Sequence, residues 1–105
     1  MDILVELGTG TPSVTLVDPQ DFSPFRVFAR NGADRARLAR ALEPYGRLAD
    51  DGRALIAPDG LRQLAGEHAQ DAEWQRRLEG MLEYARARGW IDAETGAIRA
   101  HCDWA

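Results

Sequence analysis

No lysine occurs in these 105 residues; all 13 basic side chains are arginine. A Schiff-base enzyme needs a lysine amine and a Walker-type phosphate loop needs its lysine, so both classes are excluded by inventory. Only Ser13 and Ser23 are serines and no G-x-S-x-G is present, which leaves a nucleophile-elbow hydrolase without a nucleophile. The single cysteine, Cys102, cannot form an internal disulfide. Nothing approaches the ~18 consecutive apolar residues of a membrane span, and the opening MDILVEL lacks the basic n-region of a signal peptide. These absences point to a cytoplasmic, reduced setting and to no membrane partner.

What remains is ordinary for a globular chain: 45% hydrophobic and 29% charged residues, without the bias of a disordered or fibrous sequence. A chain of this length makes one domain, residues 1–105, which buries roughly two-thirds of its unfolded surface. Residues 1–30 are β-rich. Ile3, Val5 and Leu7 alternate with polar residues, Gly8 to Pro12 interrupt, and Val14, Leu16 and Val17 resume, which is a hairpin signal. The GTG at 8–10 lacks the third glycine and the helix of a dinucleotide loop and reads as a turn. After Asp18-Pro19-Gln20-Asp21, the segment 25–30 reads as a third strand, with Phe25, Val27 and Ala29 on one face and Arg26, Phe28 and Arg30 on the other. Two arginines beside an aromatic also suit nucleic acid, but the following helix offers Phe28 cover. An antiparallel three-stranded N-terminal sheet is expected.

From residue 33 the period changes. Leu38, Ala41, Leu42 and Tyr45 predict a helix over 33–45, stopped by Gly46, with Arg37 and Arg40 on its outer face. Residues 53–57 read as a short strand, and Pro58 opens a short helix with Leu61, Leu64 and Ala65 on one stripe. Asp71 caps a longer helix over 71–88 in which Trp74, Leu78, Met81, Leu82 and Ala85 form one continuous apolar face. Glu73 and Arg77 are spaced to pair on its outer side, and Gly80 suggests a close backbone contact.

The C-terminal GWIDAETGAIRAHCDWA holds a histidine, the cysteine and an aspartate in sequence, which invites a metal site or a Cys-His nucleophile. Strand alternation splits the group: Ile98, Ala100, Cys102 and Trp104 take one face, and Arg99, His101 and Asp103 take the other. Zinc needs about four ligands, usually in spaced pairs, and neither C-x-x-C nor H-x-x-x-H is present. No cofactor and no metal is expected. Cys102 reads as a small core residue, and Asp103 beside His101 favours a surface ion pair with a modest pH response.

The order helix, short strand, short helix, long helix and hairpin (90–92 and 97–104) over residues 33–104 resembles the winged-helix arrangement in topology, without a specific motif. The fold class expected is therefore α+β, an N-terminal antiparallel sheet followed by a winged-helix-like part. Whether the hairpin stands free as a wing or pairs with 53–57 or the N-terminal sheet stays open. The resemblance implies that Gln75, Arg76 and Glu79 of the long helix face a DNA major groove, with Arg99 and His101 reaching the backbone or minor groove. Charge opposes this: segment 71–105 carries five arginines against seven acids, and the whole chain has a net charge of −4. Phosphate neutralisation supplies most non-specific affinity for DNA.

The reading favoured is a non-catalytic module acting through protein–protein contacts, as a homodimer or as a subunit of a complex. Tryptophan is enriched at interface hot spots, and of the three present Trp90 and Trp104 flank the expected hairpin. The candidate surface comprises Arg76, Glu79, Trp90, Arg99, His101 and Asp103. Two alternatives are a winged-helix-like DNA-binding regulator and a small α+β protein with a ligand pocket between the N-terminal strands and the long helix, where His101, Asp103, Tyr84 or His68 would act.

Overall fold

A computed structural model describes residues 1–8, 10–23, 25–32 and 34–104. Thr9 of the expected 8–12 turn, Pro24 before the third strand, and Ala33 at the expected start of the first helix lie outside the described residues. The elements are β1 (Asp2–Glu6), β2 (Ser13–Val17), β3 (Arg26–Arg30), α1 (Arg35–Leu42), β4 (Gly46–Leu48), β5 (Ala54–Ile56), α2 (Pro58–Ala65), a 3-10 turn (Gly66–Gln70), α3 (Ala72–Ala87) and β6 (Ile98–Trp104). The six strands form one mixed, curled sheet, a half-barrel in the order β2-β1-β3-β6-β5-β4.

This overturns the antiparallel N-terminal sheet. β2 is antiparallel to β1, but β3 is parallel to it, with Asp2 opposite Arg26 and Glu6 opposite Arg30. The reason lies in where β2 ends. Val17 sits opposite Asp2, beside the start of β1, so the 18–25 loop crosses that end and delivers the chain to the free edge of β1 already running in its direction. The loop is held from several sides: the Met1 ammonium donates to the Asp21 carbonyl (2.6 Å), the Trp74 indole donates to the Pro19 carbonyl (2.8 Å), and Gln20 bonds His68 (3.0 Å).

The winged-helix expectation is also corrected. The second arm of the expected hairpin is β6, and it lies inside the sheet, parallel to β3 (Arg26 opposite His101) and antiparallel to β5 (Ala54 opposite Ala100). The first arm reduces to a single bridge from Ile91 to Ile98. The intervening turn closes on itself through Thr95 Oγ1 donating to Asp92 and Gly96 N donating to the Asp92 carbonyl. Both pairings left open by the sequence are therefore made at once. β6 joins the N-terminal strands to the β5–β4 hairpin, and β4 is a strand where the sequence suggested only the end of a helix.

The inward strand residues Ile3, Val5, Val27, Ala29, Ile98 and Ala100 meet Leu38 and Leu42 of α1, Leu61 and Ala65 of α2, and Trp74 and Leu78 of α3 in one buried cluster. All three helices thus bury their apolar stripes against the same face. Asp71 caps α3 by accepting from Glu73 N (3.1 Å), and Asp34 caps α1 by accepting from Arg37 N (3.2 Å). Phe28 faces the other way, beneath the Arg26 guanidinium at 4.9 Å from its ring centre, and not under a helix. Cys102 packs against the core cluster.

Gly80 is exposed, and a Cβ built on it meets nothing within 4 Å, so it marks no close contact. Gly80→Ala is expected to stabilise the protein by about 1 kcal/mol through helix propensity, read as a rise in the urea midpoint at unchanged slope. A fall would show a packing role for this glycine.

Candidate functional site

α3 carries a second stripe beside its core stripe. Arg77, Met81, Tyr84 and Arg88 recur at i, i+4, i+7 and i+11, which places them along one helical edge. Facing that edge, the 18–25 loop presents Phe22 and Phe25, and the chain leaving α3 presents Trp90. Between them lies a cleft of ≈ 210 Å³ lined by Phe22, Phe25, Met81, Tyr84, Trp90 and Arg99, among others. It adjoins a shallower trough of ≈ 440 Å³ that shares Phe22, Met81 and Tyr84 and adds Arg77 and Asp21.

The groove is aromatic and rimmed by arginine. Tyr84 and Trp90 meet edge to face at 5.9 Å between ring centres yet stay 53% and 46% exposed. The Arg77 guanidinium lies 4.7 Å from the Phe22 ring centre, and that of Arg88 lies 5.0 Å from the Tyr84 ring centre. The expected Glu73–Arg77 pair is replaced by Glu73–Arg76. Arg77, Arg88 and Arg99 take no part in the carboxylate pairs found among the described residues, which engage Arg26, Arg30, Arg62, Arg76 and His101. Phe22 also contacts the buried Trp74 ring at 5.7 Å, so the groove wall is anchored directly to the core. The Trp90 backbone is fixed too, its N–H donating to the Ala85 carbonyl (2.8 Å) and its carbonyl accepting from Arg99 N (2.7 Å).

A separate charged ladder crosses the helix-free face of the sheet. Arg26 donates from Nε to Asp2 (3.3 Å) and from Nη1 to Asp103 (2.7 Å), and His101 Nε2 faces the other Asp103 oxygen at 2.9 Å. Next to it Glu6 pairs with Arg30 (3.3 Å) and accepts from Asn31 (2.6 Å). The hydrogen bond from Arg26 is the main cause that holds the Asp103 carboxyl below the usual range; partial desolvation opposes it, and His101 adds to it. A depressed carboxyl stabilises the fold above its unfolded pKa, and that contribution is lost as pH falls through the folded value. Asp103→Asn is therefore expected to lower the urea midpoint near neutrality, with the difference beginning to close near the ordinary carboxylate pKa of about 4 and closing further as pH falls through the lower folded value. A difference independent of pH would show that the ion pairs contribute nothing.

The candidate surface expected from sequence is thus divided among three places. Trp90 and Arg99 line the groove. His101 and Asp103 belong to the ladder on the sheet's helix-free face. Arg76 and Glu79 stand exposed on α3, with Arg76 held by Glu73. Trp104 is 42% exposed, at the opposite end of β6 from the groove. His68 is occupied by Gln20. Burial pushes the Cys102 thiol up, with lesser opposing help from a backbone hydrogen bond and Arg35, so it stays protonated and weakly nucleophilic. Among the described residues no group of three or more His, Cys, Asp or Glu side chains is placed to hold a metal ion, and no helix is long and apolar enough to cross a membrane.

Sequence reasoning missed Phe22, Phe25, Met81, Arg77 and Arg88 as parts of a site. The usable signal was the Arg77-Met81-Tyr84-Arg88 stripe, in which Met81 borders the core face and Tyr84 lies beyond it between two arginines. The chain matches no protein-family model, no curated protein and no solved structure.

Proposed function

We propose that this chain is a non-catalytic interaction module of the cytoplasm, acting through protein–protein contacts at the groove between α3 and the 18–25 loop. The observation that carries this is the Tyr84–Trp90 pair. Two large aromatics meet edge to face over a cleft, on helical and hydrogen-bonded backbone, and remain about half exposed. Leaving such area in water forgoes burial worth roughly 25 cal/mol per Å², and aromatic anchors of this kind dominate interface energetics.

The experiment is the apparent mass of the chain in fresh cell extract. Wild type is expected to run well above 11.6 kDa, as a homodimer or within a larger complex. Trp90→Ala is expected to run at the monomer mass while keeping the wild-type circular dichroism, because a hot-spot truncation costs about 2 kcal/mol or more of binding. Wild type at the monomer mass in extract would contradict the proposal.

A further inference from the structure

We infer that the groove takes an acidic segment of another protein, seating one bulky apolar side chain in the Phe22–Phe25–Tyr84–Trp90 cleft while flanking carboxylates engage Arg77, Arg88 and Arg99. This rests on the reading of the chain as a protein-binding module and specifies its partner. Beside an open trough of ≈ 440 Å³, the more enclosed cleft of ≈ 210 Å³ is by itself smaller than the roughly 300–1,000 Å³ of sites that enclose a whole drug-sized ligand. It suits a single anchor side chain presented by a longer chain, with the adjoining trough receiving the neighbouring residues.

Charge selects what surrounds the anchor. Arg77 and Arg99 line the groove and Arg88 lies over its Tyr84 ring, against one lining carboxylate, Asp21, whose Oδ1 already accepts from Ser23 N at 3.1 Å. Arg77 and Arg88 lie over aromatic rings. A guanidinium carries five N–H donors, more than a ring contact uses, so donors remain for a carboxylate. The rings therefore hold these two cationic groups beside the aromatic wall before a partner arrives, which reduces the ordering cost of binding. A nucleic-acid strand would use the same rings and arginines, but its affinity grows with the number of phosphates neutralised. Three arginines on a chain of net charge −4 match a few carboxylates better than a polyanion.

The test is selection from a random-peptide display library on the full chain, followed by titration of the selected peptides against wild type, Trp90→Ala, Arg77→Glu and Arg99→Glu. The expected motif is a bulky apolar residue with Asp or Glu on either side. Its Kd should rise about tenfold or more on each charge reversal, and its binding should shift the Trp90 indole resonance of the wild-type protein. No enrichment, a motif without carboxylates, or binding unmoved by charge reversal overturns the inference. So does tighter binding of single-stranded oligothymidylate with the same Trp90 shift, which reassigns the groove to nucleic acid. The wider reading fails on a different result, wild type at the monomer mass in extract; a complex lost in Trp90→Ala without an acidic motif removes the partner chemistry alone.

Discussion

Replacing Trp74 by alanine is expected to lower the unfolding free energy by roughly 3–5 kcal/mol, the range for deleting a buried aromatic side chain. For a domain whose total stability is about 5–15 kcal/mol, that is a loss large enough to populate unfolded chains. The side chain is 0% exposed at the centre of the buried cluster. Two consequences accompany the cavity. The Pro19 carbonyl loses its indole donor at 2.8 Å, and the Phe22 ring loses its neighbour at 5.7 Å. The 18–25 loop thereby loses two of its ties, both to Trp74 of α3, and keeps those through Met1, His68 and Arg77, so the groove wall is weakened. Trp74→Phe should recover most of the packing but not the hydrogen bond, a residual cost of about 1–3 kcal/mol for the orphaned acceptor. Urea denaturation orders the three proteins: wild type, then Phe, then Ala. An alanine variant as stable as wild type would mean that Trp74 is not the anchor of the core.

The second large effect comes from the smallest side-chain change. Gly60→Ala is expected to cost roughly 3 kcal/mol or more, at or above the upper end of overpacking penalties. A Cβ at Gly60 would lie 2.4 Å from the Tyr45 carbonyl oxygen and 2.6 Å from the Tyr45 Cα. Both are backbone atoms, and that carbonyl already accepts from Ala57 N at 2.9 Å, so α2 has to move away from the start of β4. Gly46→Ala meets the same obstacle across the sheet, 2.0 Å from the Leu55 carbonyl oxygen. Compared with Gly80→Ala, an identical substitution has opposite signs in two helices of one protein. Circular dichroism melts of the Gly60 and Gly80 variants settle this: equal shifts in the same direction would show that helix propensity alone governs both.

These glycines also show what a sequence can express. Period and capping are local, and they place α3, its Asp71 cap, the strand faces of 98–104 and the separation of Cys102 from His101 and Asp103. Gly46, Gly60 and Gly80 look alike as residues, because what distinguishes them is the backbone that approaches from elsewhere. Gly46 reads as a helix stop and lies instead in a strand pressed against Leu55. Strand pairing is equally non-local. Alternation in 26–30 and 98–104 fixes which side chains face inward, but not that β3 takes the far edge of β1 or that β6 enters between β3 and β5. The winged-helix likeness failed there, since it inferred a hairpin from adjacency in sequence. The groove was half legible: Trp90 and Arg99 were candidates, whereas Phe22 and Phe25 join them only because the Trp74 and Met1 hydrogen bonds fold the 18–25 loop back onto α3.

The central claim, that the Tyr84–Trp90 groove is a protein contact surface, is tested most directly by placing the photoreactive benzoylphenylalanine at position 90 in living cells. The same residue at position 47, exposed on edge strand β4, serves as the comparison. Irradiation is expected to yield a discrete covalent adduct with protein from position 90 and none from position 47. No adduct from position 90, or the same adducts from both positions, would contradict the claim.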